Sequence, residues 1–136
     1  NRQMNRKKLL IRVFLLIFSI LIVNYLAEKF YWYSAVWYFD MIMHFSGGLW
    51  VGLTAIWLLF GQKSYLDLSF ILKILSSVLL IGICWELFEI IFYNYIAQNP
   101  FNILDTVSDL FFDLVGGLFA ILYFGKRIML KTGDKI

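Results

Sequence analysis

The sequence predicts an all-α fold, a polytopic membrane bundle of four transmembrane helices with both termini in the cytoplasm. Three observations predict it. Hydrophobic residues make up 62% of the 136-residue chain and charged residues only 15%, too little polar surface for a soluble domain. Four apolar runs each approach the ~20 residues that cross a hydrocarbon core as a helix, and they lack the alternation of barrel strands. The basic residues gather at the chain ends and between the second and third runs. The whole chain, residues 1–136, is expected to form one domain.

The first span is expected over Leu9–Ala27, preceded by Arg2, Arg6, Lys7 and Lys8. A basic start before an apolar run is also the pattern of a secretory signal, but Tyr25-Leu26-Ala27 is a poor cleavage site, so this helix is read as retained. An aromatic segment follows, Phe30-Tyr31-Trp32-Tyr33 and Trp37-Tyr38-Phe39, read first as an interfacial belt and second as a platform for an amphiphile. The second span, Asp40–Phe60, contains Gly48-x-x-x-Gly52, and the fourth contains Gly116-Gly117. Small residues of this kind let helices approach closely.

Lys63 and Lys73 mark the second loop as cytoplasmic. The third span is expected over Phe70–Ile96, the turn Asn99-Pro100-Phe101-Asn102 lies outside, and the fourth span covers Asp105–Phe124 before Lys126, Arg127, Lys131 and Lys135. Cys84, alone in the sequence, excludes an internal disulfide and is read as a packing residue. The net charge of +3 calls for no nucleic-acid partner, because basic ends at the cytoplasmic leaflet account for it. The expected setting is the cytoplasmic membrane of a bacterium or archaeon, with the lipid bilayer as the first partner and a homo-oligomer or a larger membrane complex open as a second.

Seven acidic or imidazole groups fall towards the external side: Asp40, His44, Glu86, Glu89, Asp105, Asp109 and Asp113. Ionisable groups in lipid are rare and usually mark a metal site, a proton relay or a substrate pocket. At 1.5 Å of rise per residue, Asp40 and Asp105 open their helices. His44 and Asp109 lie roughly 6 Å in, Asp113 and Glu89 about 12 Å in, and Glu86 deeper. Asp40 and His44 are i and i+4, Glu86 and Glu89 are i and i+3, and Asp105, Asp109 and Asp113 are i, i+4 and i+8, so each set shares a helical face. Lipid disfavours those faces, which are expected to converge, with Asn24 of the first helix completing the polar shell. Trp85, Phe88 and Phe45 are read as packing around them. Asp40 and Asp105 have an equally good account as first-turn acids at helix starts.

No Lys or Arg lies in the outer half of any span, so six carboxylates cannot all stay ionised unaided. They must hold protons, bind a cation or be hydrated. Imidazole and carboxylate donors together suit a divalent zinc, manganese or iron ion.

Asp40-x-x-x-His44-Phe45, Trp85-Glu86-x-x-Glu89 and Asp105-Thr106-x-x-Asp109, followed by Asp113 and Gly116, resemble the pattern of the YjdF-like small membrane proteins and the broader VanZ-like superfamily. The resemblance covers helices two to four and implies a small multispanning inner-membrane protein. VanZ itself is associated with resistance to teicoplanin. VanZ-like chains often carry Gln or Asn where this one has Glu89 and Asp113, which makes the present cluster the more acidic.

The leading expectation is a metal held by His44, Glu89, Asp109 and Asp113, with Glu86 or Asp40 transferring a proton, acting on an amphiphilic or lipid-linked substrate. Asp105 and Asn24 are further candidates for the site. The alternatives are proton- or cation-coupled transport and a structural subunit. Transport needs a path through the opposite half, where Thr54, Ser76 and Ser77 are the polar groups to consider.

Overall fold

The computed structural model describes residues 6–59, 67–92 and 101–132, with side chains as far as Lys126. Five helices make up the described chain: α1 (Arg6–Lys29), α2 (Trp32–Ala35), α3 (Phe39–Leu58), α4 (Leu68–Ile91) and α5 (Ile103–Thr132). Among the described residues there is no strand. All but the single-turn α2 are long and apolar enough to cross a membrane, so four candidate spans stand where four were expected. In lipid a helix satisfies its own backbone groups, which is why such runs fold this way.

The ends differ in detail. Phe60 and the last residues of the third expected span, 93–96, lie outside the described residues, as do Asn99 and Pro100 of the expected turn. The helix α5 runs to Thr132, eight residues past the expected Phe124. At 1.5 Å per residue this is a rod of about 45 Å, longer than a ~30 Å hydrocarbon core. At the other end, Asn102 Oδ1 accepts from the Leu104 amide at 3.2 Å, so the capping oxygen belongs to Asn102 and Asp105 follows in the first turn.

The aromatic segment between α1 and α3 folds into the short α2 after Tyr31, whose φ of 58° reverses the chain. Phe39 takes Tyr33 and Trp32 edge-on at 4.9 and 5.7 Å, and the Tyr33 hydroxyl donates to Asn24 Oδ1 at 2.6 Å. These contacts fasten the segment to α1 and to the start of α3.

The tightest pairing is α3 against α5. A Cβ on Gly48 would stand 2.0 Å from the Asp113 carbonyl oxygen, and one on Gly116 would stand 2.1 Å from that of Phe45. Backbones meet at these positions, as the small-residue spacing predicts. The helix α4 lies against both α3 and α5, and α1 packs along α3. The apolar core occupies the end built from the start of α1, the end of α3, the start of α4 and the end of α5. Leu9, Ile56, Ile74 and Phe124 are buried there, and Phe70 stacks on Phe124 at 6.1 Å. The opposite end of α3, α4 and α5 is the polar one.

Candidate functional site

His44, one turn into α3, is the centre of the polar end and is 7% exposed. Its ring has two different surroundings. Nδ1 faces Asp113 Oδ1 on α5 at 3.3 Å. Nε2 faces three carboxylate oxygens at nearly one radius: Asp40 Oδ1 at 3.8 Å, Glu86 Oε1 at 3.9 Å and Asp109 Oδ2 at 3.9 Å. These belong to α3, α4 and α5, so three helices place acids around one imidazole edge.

The periodicity explains the convergence. Asp40 is one turn before His44, and Asp109 and Asp113 are one turn apart on the α5 face that meets α3. Because Gly48 and Gly116 bring those backbones together within a turn of the site, the short Asp113 side chain reaches the imidazole. Asp109 is 2% exposed, Asp113 6% and Glu86 4%, all hidden from lipid.

Chemistry follows from which atom faces which. A carboxylate only accepts, so Asp113 favours a proton on Nδ1, while Nε2, facing Asp40, Glu86 and Asp109, either carries a proton of its own or turns a lone pair to a cation among them. Contacts of 3.8–3.9 Å are too long for hydrogen bonds. Glu86 Oε1 is fully buried with no hydrogen-bond partner. A buried oxygen of this kind turned towards an imidazole lone pair needs a proton or a cation between them.

Donor atoms fall into two triads that share His44, one with Asp40 and Asp109 and one with Glu86 and Glu89, each within 4.8 Å throughout. Glu89 is half-buried at the rim. Asp113, expected among the ligands, stands outside both triads because it occupies Nδ1. Asp105 is exposed in the first turn of α5. Asn24 bonds Tyr33 and lies 3.4 Å from Glu28 Oε1, so its amide is engaged with the aromatic segment.

Several packing expectations are corrected. Cys84 is exposed, as are Trp85 and Phe88 at 51% and 56%. With Glu86 turned inward, positions one and two residues away point outward on a helix of 100° per residue. Trp85 and Phe88 lie against each other at 5.5 Å instead of around the acids. Phe45 meets Phe119 edge-on at 5.3 Å. Gly82 was not singled out from the sequence. A Cβ there would stand 2.6 Å from Asp113 Oδ2, so this glycine leaves the niche into which that carboxylate fits. Its position four residues before Glu86, on the same face, was the available signal.

A family described as "Predicted membrane protein (DUF2238)" matches residues 3–129, nearly the whole chain, and it is the YjdF-like family of the motif resemblance. No curated protein and no solved structure matches.

Proposed function

We propose, for a chain that belongs to the DUF2238 family of predicted membrane proteins, that the polar end is a divalent-cation site acting on the headgroup of an amphiphilic or lipid-linked substrate. One observation carries this reading: oxygens from three helices ring the free nitrogen of His44 at 3.8–3.9 Å. Donors around a tetrahedral ion at 2.0–2.1 Å lie about 3.4 Å apart. Each oxygen therefore stands only slightly farther from Nε2 than neighbouring donors of one ion stand from each other, and no Lys or Arg is paired with these acids among the described residues.

Zinc, manganese or iron bound here would supply a Lewis acid for a substrate oxygen. The chain's own residues do the rest. Asp113 holds the imidazole in one orientation, and the neighbour that fixes a ligating histidine strengthens it as a donor. The Asp40 side chain is 36% exposed, the most open of the three acids facing Nε2, and is the group placed to pass a proton between site and surroundings. The aromatic segment beside it offers apolar faces to the body of an amphiphile. The asymmetric placement of Lys and Arg favours cytoplasmic termini with this end at the outer leaflet, and we read the membrane as a bacterial or archaeal cytoplasmic one. The likeness of the ordered motifs to VanZ-like chains agrees with an envelope setting.

Transport has less support. Thr54 donates to the Trp50 carbonyl and Ser77 to that of Lys73, both at 2.8 Å, so these hydroxyls in the opposite half serve their own helices and not a polar path.

Element-resolved analysis of chelator-free protein tests the proposal. We expect stoichiometric zinc, manganese or iron in the parent and its loss from a His44→Ala/Asp109→Ala variant that keeps its helical circular dichroism. Parent protein that holds none after reconstitution with each ion overturns it.

A further inference from the structure

We propose that the end of the bundle opposite His44 carries a binding site for the headgroup of an anionic phospholipid, centred on Arg12 in the cleft between α1 and α5. Of the long helices, α1 packs only on α3, so among the described residues the backbones of α1 and α5 do not meet. Arg12 reaches across that space. Its Nη1 donates to the Tyr123 hydroxyl of α5, and its guanidinium stands 5.8 Å from the centre of the Tyr123 ring.

Depth sets this arginine apart from the other basic residues of α1. Arg6 stands over the ring of Trp57, at the end of α3, at 4.8 Å. Arg12 lies about 9 Å further along α1, on a stretch whose Leu9 and Val13 are buried in the apolar core. A cation at that level is costly unless a partner offsets it, and such residues mark functional positions. Tyr123 is neutral, and no carboxylate pairs with Arg12 among the described residues. The tyrosine engages one edge of the guanidinium, and the rest of its N–H fork matches two oxygens of a phosphate.

The neighbours extend the same charge. Lys8 is one turn before Arg12 and Lys126 three residues after Tyr123, so both share the helix faces that border the cleft, and both are exposed. One turn deeper stand Leu16 of α1 and Phe119 of α5, the latter 54% exposed, an apolar surface for an acyl chain. Basic side chains between membrane helices hold anionic headgroups. A zwitterionic lipid would bring its own cation into this positive field, whereas a net-negative one brings only the charge that Arg12 lacks.

Native mass spectrometry of the delipidated full chain in detergent, titrated with dioleoyl phosphatidylglycerol or dioleoyl phosphatidylcholine, tests the proposal. The expected result is one retained phosphatidylglycerol per chain, bound at least about tenfold more tightly than phosphatidylcholine, as a charge-assisted phosphate contact gives. Arg12→Gln should abolish that preference and Tyr123→Phe should weaken it. Lys73→Gln, an equal loss of charge on the exposed face of α4, should leave it unchanged. Equal retention of the two lipids by the parent overturns the site, and so does an equal loss in Arg12→Gln and Lys73→Gln, which is the mark of diffuse attraction to a basic surface. If Arg12→Gln loses its helical circular dichroism, Tyr123→Phe decides, and an unaltered preference in that variant overturns the site.

Discussion

The two ends of the bundle bury side chains of opposite chemistry. Asp109 at the polar end is 2% exposed, as is Phe70 at the apolar end, yet burial has a different meaning for each. Around Phe70, side chains fit one another in a setting where lipid is as apolar as they are, so packing shape holds the helices and the hydrophobic effect adds little. Around Asp109, burial withdraws charge from water, and the surroundings must offset it. The comparison shows that fold and chemistry are separable along the same helices. One end assembles α1, α3, α4 and α5, and the other uses the last three to hold reactive groups.

The largest expected effect breaks the separation, because both ends depend on the α3–α5 crossing. Gly48→Leu drives a side chain into the Asp113 backbone and should destabilise the bundle by about 3 kcal/mol, the upper part of the overpacking range. Unfolding in mixed micelles would report it, with loss of bound cation in parallel. A smaller effect sharpens the comparison from the polar side. Asp113→Asn keeps the size of the group but weakens its hold on Nδ1, and should lower cation affinity by about 10–100-fold while leaving the unfolding midpoint nearly unchanged. Competition with a fluorescent chelator measures this. The smallest comes from the apolar side. Phe70→Ala leaves a cavity beside Phe124 and should cost about 2 kcal/mol, largely the cavity term, with cation stoichiometry unaltered. A shift in stoichiometry with Phe70→Ala would show that the ends are not independent.

Much of this was legible because hydropathy and helical periodicity are strong signals in lipid. The four spans follow from apolar length, and the convergence of His44, Glu86, Asp109 and Asp113 follows from shared faces and matching depth. What escaped the sequence depends on contacts between helices. The Asp113 carboxylate takes its place from the Gly82 niche and its role from facing Nδ1, neither of which its own helix encodes. Cys84, Trp85 and Phe88 looked like core because they are apolar neighbours of Glu86, but apolar character does not separate core from surface when the solvent is lipid. Asn24 was paired with the acids by depth alone, and Tyr33, brought round by the turn at Tyr31, claims its amide. The exposed Asp105 shows that a shared face carries a side chain inward only as far as a neighbouring helix covers it.

The glycine crossing also decides how this molecule moves. With Gly48 and Gly116 seated backbone to backbone, α3 and α5 cannot slide or roll past one another without collision, and they behave as a single rigid jaw carrying His44, Asp40, Asp109 and Asp113. The remaining acids, Glu86 and Glu89, ride on α4, which meets α5 through side chains at two glycines, Val78 against Gly117 and Asp113 Oδ2 against Gly82. The Phe70–Phe124 stack ties α4 to α5 at the apolar end, so α4 is fastened to that pair away from the acids as well as beside them.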